Sequence, residues 1–326
     1  MLRLIMQKNW VPQYPYWGKL PFLLLDEIML RIRFNSFSLL IYIGLGLSFN
    51  LVYANSTSFE EVNSQVVIFK NLQQQGLIIT GEQRSVVIDP INQDTAQEIK
   101  SYLSSNNKSE ITDIVYSHSH WDRITGGKIF GASNPNIIAQ KNCGLYFSGI
   151  QNKKVVDPTV YFDQIYEINI GEEIIKLHYF GPSHGECMLV AELEKSKLLF
   201  IPDLISTRGP SFPTDPTLPF LRPSTLNAFF DSLIELITSK QIDYFISGHA
   251  TDIALGPTEI VSQQKIFWEL IQDMAITAEE EGLVDLNNFI AIEKMDLEGI
   301  KQYENYNEGD LVNILRRYTS FLNMGR

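Results

Sequence analysis

Histidine is scarce in this chain of 326 residues: His118, His120, His178, His184 and His249 are all there are. Cysteine is scarcer still. Cys143 and Cys187 could pair in an oxidising compartment, but two cysteines alone define no disulfide framework. Cys187 follows His184 by three residues, which raises the question of a thiolate ligand. The apolar run Met188-Leu189-Val190 beside it favours a small buried core residue instead. An excess of positive charge is also lacking. Lys plus Arg number 26 against 38 Asp plus Glu, a net charge of −12, which argues against nucleic acid or an anionic membrane surface as partner. Plain solubility accounts for that charge. Internal repeats, low-complexity tracts and nucleotide-binding loops are missing too. What remains is ordinary globular material, 44% hydrophobic and 20% charged, long enough for one large domain or two small ones.

The amino terminus reads as targeting rather than fold. Arg31 and Arg33 precede an apolar run from Phe37 to Leu47, and Val52-Tyr53-Ala54 supplies a small residue at a cleavage end. The run is short for a spanning helix, so a cleaved signal peptide is preferred over an uncleaved anchor. Signal peptides begin with a short charged segment, yet 28 residues precede Met29, and Met29-Leu30-Arg31-Ile32-Arg33 would form a compact one. Translation is therefore expected to start at Met29, with a signal peptide over 29–54 and a periplasmic or secreted mature protein.

From Gln65 onward the pattern is rich in short strands: Val66–Phe69, Leu77–Thr80, Val86–Ile88, Ile111–Tyr116 and Ile137–Ala139, then Tyr166–Ile170, Ile174–Phe180, Met188–Leu193 and Leu198–Ile201. Glu194 to Lys197 reads as a hairpin turn. Thr95–Leu103 has helical spacing, with Ala96, Ile99 and Leu103 on one face, and Gly126-Gly127 allows close packing before a short helix ending near Phe130. The proline-rich stretch Pro210–Pro223 is a loop. A helix over Ser224–Thr238 is expected with Ser224 as N-cap, then a strand over Asp243–Ile246, a long helix from Thr258 to about Glu281 and a last amphipathic helix over Glu308–Met324.

The chemistry concentrates where the Ile111–Tyr116 run stops, at Ser117-His118-Ser119-His120-Trp121-Asp122-Arg123. In extended chain, residues i, i+2 and i+4 share a direction, so His118, His120 and Asp122 are expected to converge beyond the strand end. Two imidazoles and a carboxylate suit Zn²⁺ or a similar divalent ion. Three more candidates each follow an apolar strand: His184 in Gly181-Pro182-Ser183-His184-Gly185, Asp203 after Leu198–Pro202, and His249 in Ser247-Gly248-His249.

Taken together, H-x-H-x-D-R with Gly126-Gly127 nearby, the His184 motif, the strand ending in Asp203 and the Gly-His pair at 248–249 resemble the metallo-β-lactamase superfamily, in the family's order from about Val66 to Ala250. The resemblance implies an α+β (α/β) four-layer αβ/βα sandwich. It implies a targeting region over 1–54, a metallo-β-lactamase-like domain over 55–283 and a helical extension over 284–326 packed on it. His118, His120 and His184 would hold a first metal ion; Asp122, Asp203 and His249 a second, with Asp203 bridging. The implied cofactor is Zn²⁺, one or two ions, with Fe²⁺ as the alternative. Such an ion brings the pKa of bound water down to ~7, and Asp122 is the candidate catalytic group that orients the nucleophile or takes its proton. Asp89 matches an acidic residue the family uses as structural support.

The implied activity is hydrolysis of a small ester, lactone, thioester, amide, or sulfate or phosphate ester. The alternatives are a metal-binding protein of this fold without catalysis, or a mononuclear-iron dioxygenase. A small-molecule substrate is the expected partner, with membrane association only if the leader stays uncleaved. Two departures bear on this. Arg123 stands where many superfamily hydrolases have another ligand histidine, and arginine cannot ligate. The Asp-Arg pair resembles one β-lactamase subclass, but Asp203 replaces that subclass's cysteine and Ser206 its substrate-gripping lysine, which counts against lactamase activity. Arg208 or Arg222 are the candidate substitutes. His178, inside a strand, reads as a core or supporting histidine, Trp121 as packing or pocket lining, and Ser119 as no nucleophile, since no acyl-transfer elbow surrounds it.

Overall fold

A computed structural model describes residues 56–147, 153–213, 222–285, 287 and 289–325. The chain divides into two units, Met1–Ala54 and Asn55–Arg326, and all described residues belong to the second. The signal peptide, the Met29 start and residues 214–221 of the proline-rich loop lie outside the described residues.

Thirteen strands among the described residues form two sheets. The first runs β1 (Ser58–Glu61), β2 (Val66–Asn71), β3 (Gln74–Thr80), β4 (Ser85–Ile88), β5 (Ile111–Val115), β6 (Asn136–Gln140) and β7 (Val160–Phe162), in that order. The second holds β8 (Ile165–Asn169), β9 (Ile174–His178), β10 (Val190–Leu193), β11 (Leu198–Ile201), β12 (Tyr244–Ser247) and β13 (Gly256–Pro257), also in chain order across the sheet. Pairing is antiparallel except from β4 to β7 and between β11 and β12.

The strands are apolar on both faces because each sheet is covered on both sides. Val66 and Ile68 of β2 enter the core between the sheets, while Val67 and Phe69 face an outer core with Ala96, Ile99 and Leu103 of helix α1 (Gln93–Ser105). The second sheet repeats this. Leu198 and Phe200 point at the first sheet, and Leu199 and Ile201 pack under helices α4 (Pro223–Lys240), α5 (Glu259–Glu280) and α6 (Glu308–Met324). Two short helices, α2 (Trp121–Ile124) and α3 (Gly144–Phe147), complete the set. Helix, sheet, sheet, helix is the four-layer arrangement that the resemblance implied. The terminal helix joins the core through Leu311, Ile314, Leu315 and Tyr318, the last stacked 6.5 Å from Trp268 of α5.

Two local expectations need correction. Pro223, not Ser224, opens α4: proline's fixed φ suits the first helical position, and Arg222 stands at the cap without a side-chain hydrogen bond. The segment after Asp122 is a single α-turn running into a 3₁₀ stretch over Thr125–Ser133, because Gly126 abuts the carbonyls of Pro90 and Asn92 and Gly127 the Tyr116 hydroxyl. Cys143 and Cys187 form a disulfide inside the outer core, so Cys187 is neither free nor a ligand.

Candidate metal centre

Register builds the site. β4 and β5 are parallel with Ile88 opposite Val115, so Asp89, one residue past β4, meets Ser117, two past β5. Asp89 accepts from Ser117 N at 2.8 Å and from Ser117 Oγ at 2.5 Å. Leu189 N donates to Ser117 O at 2.9 Å, drawing in the loop that carries His184. In the second sheet, Ile201 lies opposite Ser247 in parallel register, so Asp203 and His249, each two residues further on, emerge side by side. A bridge between Gln74 and His249 ties the two sheets at this rim.

His118, His120 and His184 come together with their ligating nitrogens all within 4.8 Å of one another, a group that can hold a metal ion. His118 Nε2 lies 3.2 Å and His184 Nε2 3.5 Å from Asp203 Oδ2, and His184 Nε2 lies 3.2 Å from His120 Nδ1. Asp122 does not join them. Extended chain ends at His120, which caps α2, and the helical turn sends the Asp122 carboxylate out to solvent, where Gln74 Nε2 donates to it. His249 Nε2 contacts the other oxygen, Asp203 Oδ1, at 2.5 Å. Arg123, 2% exposed, reaches the same Oδ1 at 2.8 Å with one nitrogen and Gly248 O at 2.8 Å with another.

The proton arrangement follows from these contacts. The Ser117 hydroxyl hydrogen goes to Asp89, so the 2.8 Å contact between Ser117 Oγ and His118 Nδ1 must be donated by the imidazole. That leaves His118 Nε2 as a bare lone pair aimed inward. Neither it nor Asp203 Oδ2 has a hydrogen-bond partner, although both are buried. Two buried acceptors facing each other without a proton is unfavourable unless a cation sits between them. The donor set, neutral nitrogen plus carboxylate oxygen, fits a divalent metal.

Electrostatics agree. Burial holds His118 well below its ordinary 6.5, and burial pushes His184 down to about 4, with Asp203 opposing in both cases. Both are therefore neutral and able to ligate at neutral pH. Burial alone would raise Asp203, but the Arg123 guanidinium first of all, with the hydrogen bond to His249, holds the carboxylate well below its usual range. Asp89 is pushed up to about 6, mainly by burial.

The site opens into a cleft of about 340 Å³ lined by His184, Asp203 and His249 with Gln73, Ser206, Arg208, Phe212, Thr251 and Glu304 among others. Arg208 is paired with Asp252 at 2.7 Å and Glu304 at 3.2 Å, while Arg222 lies over the Phe321 ring and does not line the cleft. Trp121 is 41% exposed rather than packed. His178 lies apart, its Nε2 2.8 Å from the buried Glu192. Sequence reasoning missed Ser117 and Gln74. The first carries no signal beyond adjacency to His118, and the second is brought in only by the bridge to His249.

Residues 71–249 match the profile of the metallo-beta-lactamase superfamily, more than half of the chain. The chain belongs to that superfamily. Solved structures agree at the level of fold. A metallo-beta-lactamase from Pontibacter korlensis superposes with a TM-score of 0.55 at 15% identity, covering 66% of this chain and 99% of that one. DIM-1 metallo-beta-lactamase gives 0.54 at 16%, covering 66% and 98%. TMB-1 gives 0.54 at 17%, also covering 66% and 98%. No curated protein matches the chain.

Proposed function

We propose that this superfamily member is an exported zinc-dependent hydrolase of a small substrate. His118, His120 and His184 would hold the ion. The observation that carries the reading is the inward-facing, unpartnered lone pair of His118 Nε2 among three ring nitrogens within 4.8 Å, at the wall of a cleft. A divalent ion bound there supplies Lewis acidity and ionises water near neutral pH. The chain's own residues do the rest. Asp89 and Ser117 fix the His118 tautomer. Asp122, the proton acceptor expected from the sequence, faces solvent instead and accepts from Gln74 Nε2, so no protein base beside the three histidines is assigned.

The cleft also weighs on substrate class. Arg208 is its cation, and two carboxylates already balance it. Ser206 stands where the resembling lactamase subclass has lysine. Uncharged esters, lactones, thioesters and amides therefore suit the cleft better than sulfate esters, phosphate esters or β-lactam carboxylates. Export is supported by the apolar leader and by the Cys143–Cys187 disulfide, since such bonds persist in oxidising compartments.

Metal analysis of protein purified without added metal, together with turnover on a panel of neutral and anionic esters, lactones and β-lactams, tests this. Zinc with hydrolysis of one neutral class is the expected result. Metal-free protein, or loaded protein inert across the panel, would sink the hydrolase reading. Stoichiometric iron would replace it with oxidative chemistry.

A further inference from the structure

We infer that Arg123 is a tethered cation standing in the place of a second metal ion, so that the centre holds one ion and not two. This rests on reading the three-histidine group as a metal centre.

The residues that would bind a second ion are already committed to one another. Asp203 Oδ1 takes the Arg123 guanidinium at 2.8 Å and His249 Nε2 at 2.5 Å. A contact that short between His249 Nε2 and Asp203 Oδ1 is a hydrogen bond with the proton between them, which leaves that nitrogen no lone pair for an ion. The other guanidinium nitrogen is spent on Gly248 O at 2.8 Å. Asp122, the remaining candidate, is turned outward to Gln74. Oδ2 alone of Asp203 is left without a partner, and it faces His118 and His184.

The backbone is shaped around this arrangement. A Cβ at Gly248 would lie 2.6 Å from the Arg123 guanidinium and would also run into the Pro202 carbonyl. Glycine is needed here first by the Pro202 carbonyl, which lies nearer still, and the arginine beside it fills a slot 2% exposed to solvent. A dication entering here would meet a fixed positive charge that stays protonated at any working pH.

Titration of the full chain with Zn²⁺ alone, counting bound metal after equilibrium dialysis, and with Co²⁺ followed by its visible absorption, tests the assignment. One equivalent is expected in the unaltered protein. Arg123→Ala should open the second place, release His249 and Asp203 as ligands, and raise the count to two. Arg123→Lys, which keeps the charge, should stay at one. Arg123→Gln, which keeps hydrogen-bond donors without charge, should also reach two and stands in if the alanine variant does not fold. Two ions of comparable affinity in the unaltered protein would overturn the inference and leave the metal-hydrolase reading standing. So would a count of one in folded Arg123→Ala or Arg123→Gln. A count of zero in the unaltered protein would overturn both.

Discussion

On one side of Asp203, three imidazoles crowd together and the buried lone pair of His118 finds nothing to bond. On the other side, Arg123, His249 and the Gly248 carbonyl satisfy one another and the carboxylate. The two halves are a few ångströms apart, drawn from the same sheet rims and built from the same kinds of residue. One is incomplete without a cation; the other carries its own. A buried polar cluster that closes its hydrogen bonds behaves as structure, whereas one that leaves acceptors open behaves as a binding site.

Substitutions on the two sides should therefore fail in different ways. The largest effect is expected from His118→Ala or His184→Ala, which leaves too few donors to hold the ion. Metal content and turnover should both vanish, while the metal-free fold survives, since His118 Nε2 has no partner there to lose and His184 Nε2 contacts only neighbouring site groups. Metal analysis beside a thermal melt reads both, and retained metal would break the comparison. Asp203→Ala should do the reverse to stability. It strands the Arg123 charge in the interior, a change that costs about 3–5 kcal/mol where a buried pair loses one partner. Urea denaturation with and without chelator measures it; an unchanged midpoint in the metal-free protein would mean that Arg123 does not depend on Asp203.

Asp89→Asn is a subtler probe. It weakens the relay through Ser117 that fixes the His118 tautomer, and loss of such a supporting group lowers metal affinity about 10–100-fold. Competition with a chromophoric chelator would detect it.

The pH dependence of the metal-free protein sharpens the same point. Because burial keeps His184 near 4 and His118 well below 6.5, the unfolded chain binds protons there that the native state refuses. Their stabilisation is full above about 6.5 and is lost as the pH falls toward about 4. Asp89 acts with the opposite sign, since its folded pKa of about 6 exceeds 3.8 and the native state keeps a proton the unfolded chain has released. Two imidazoles outweigh one carboxyl, so stability should fall on acidification, and more steeply in Asp89→Asn. A rise in stability on acidification would show that the imidazoles are not buried neutral.

The smallest effect belongs to His178→Ala. It breaks the contact with Glu192 but touches no ligand, so the metal count should not change. Loss of metal comparable to His184→Ala would reassign the ligands.

Much of this was legible in the residues themselves. Apolar strands of four to seven residues gave the two sheets because alternation and burial on both faces are properties of short stretches. His118, His120, His184, Asp203 and His249 could be picked out because each follows an apolar strand. Helix ends written in local chemistry were also readable, as at Glu308–Met324, which the Asn307 side chain caps.

What the chain alone left open depends on register and on turns. Extended spacing places Asp122 with the histidines, but one helical turn after His120 sends it to solvent. Just past that turn Gly126 lies close against the Pro90 and Asn92 carbonyls, and Ile91 N donates to Arg123 O, contacts across more than thirty residues. Arg123 reads as a missing ligand in the sequence. It becomes a built-in cation only because β11 and β12 run parallel with Ile201 opposite Ser247 and deliver Asp203 and Gly248 to its two ends. The residue types determined that a metal could be bound. Which of them face one another, and so which half of the centre is left short of a charge, was decided by strand pairing over distances that no local pattern encodes.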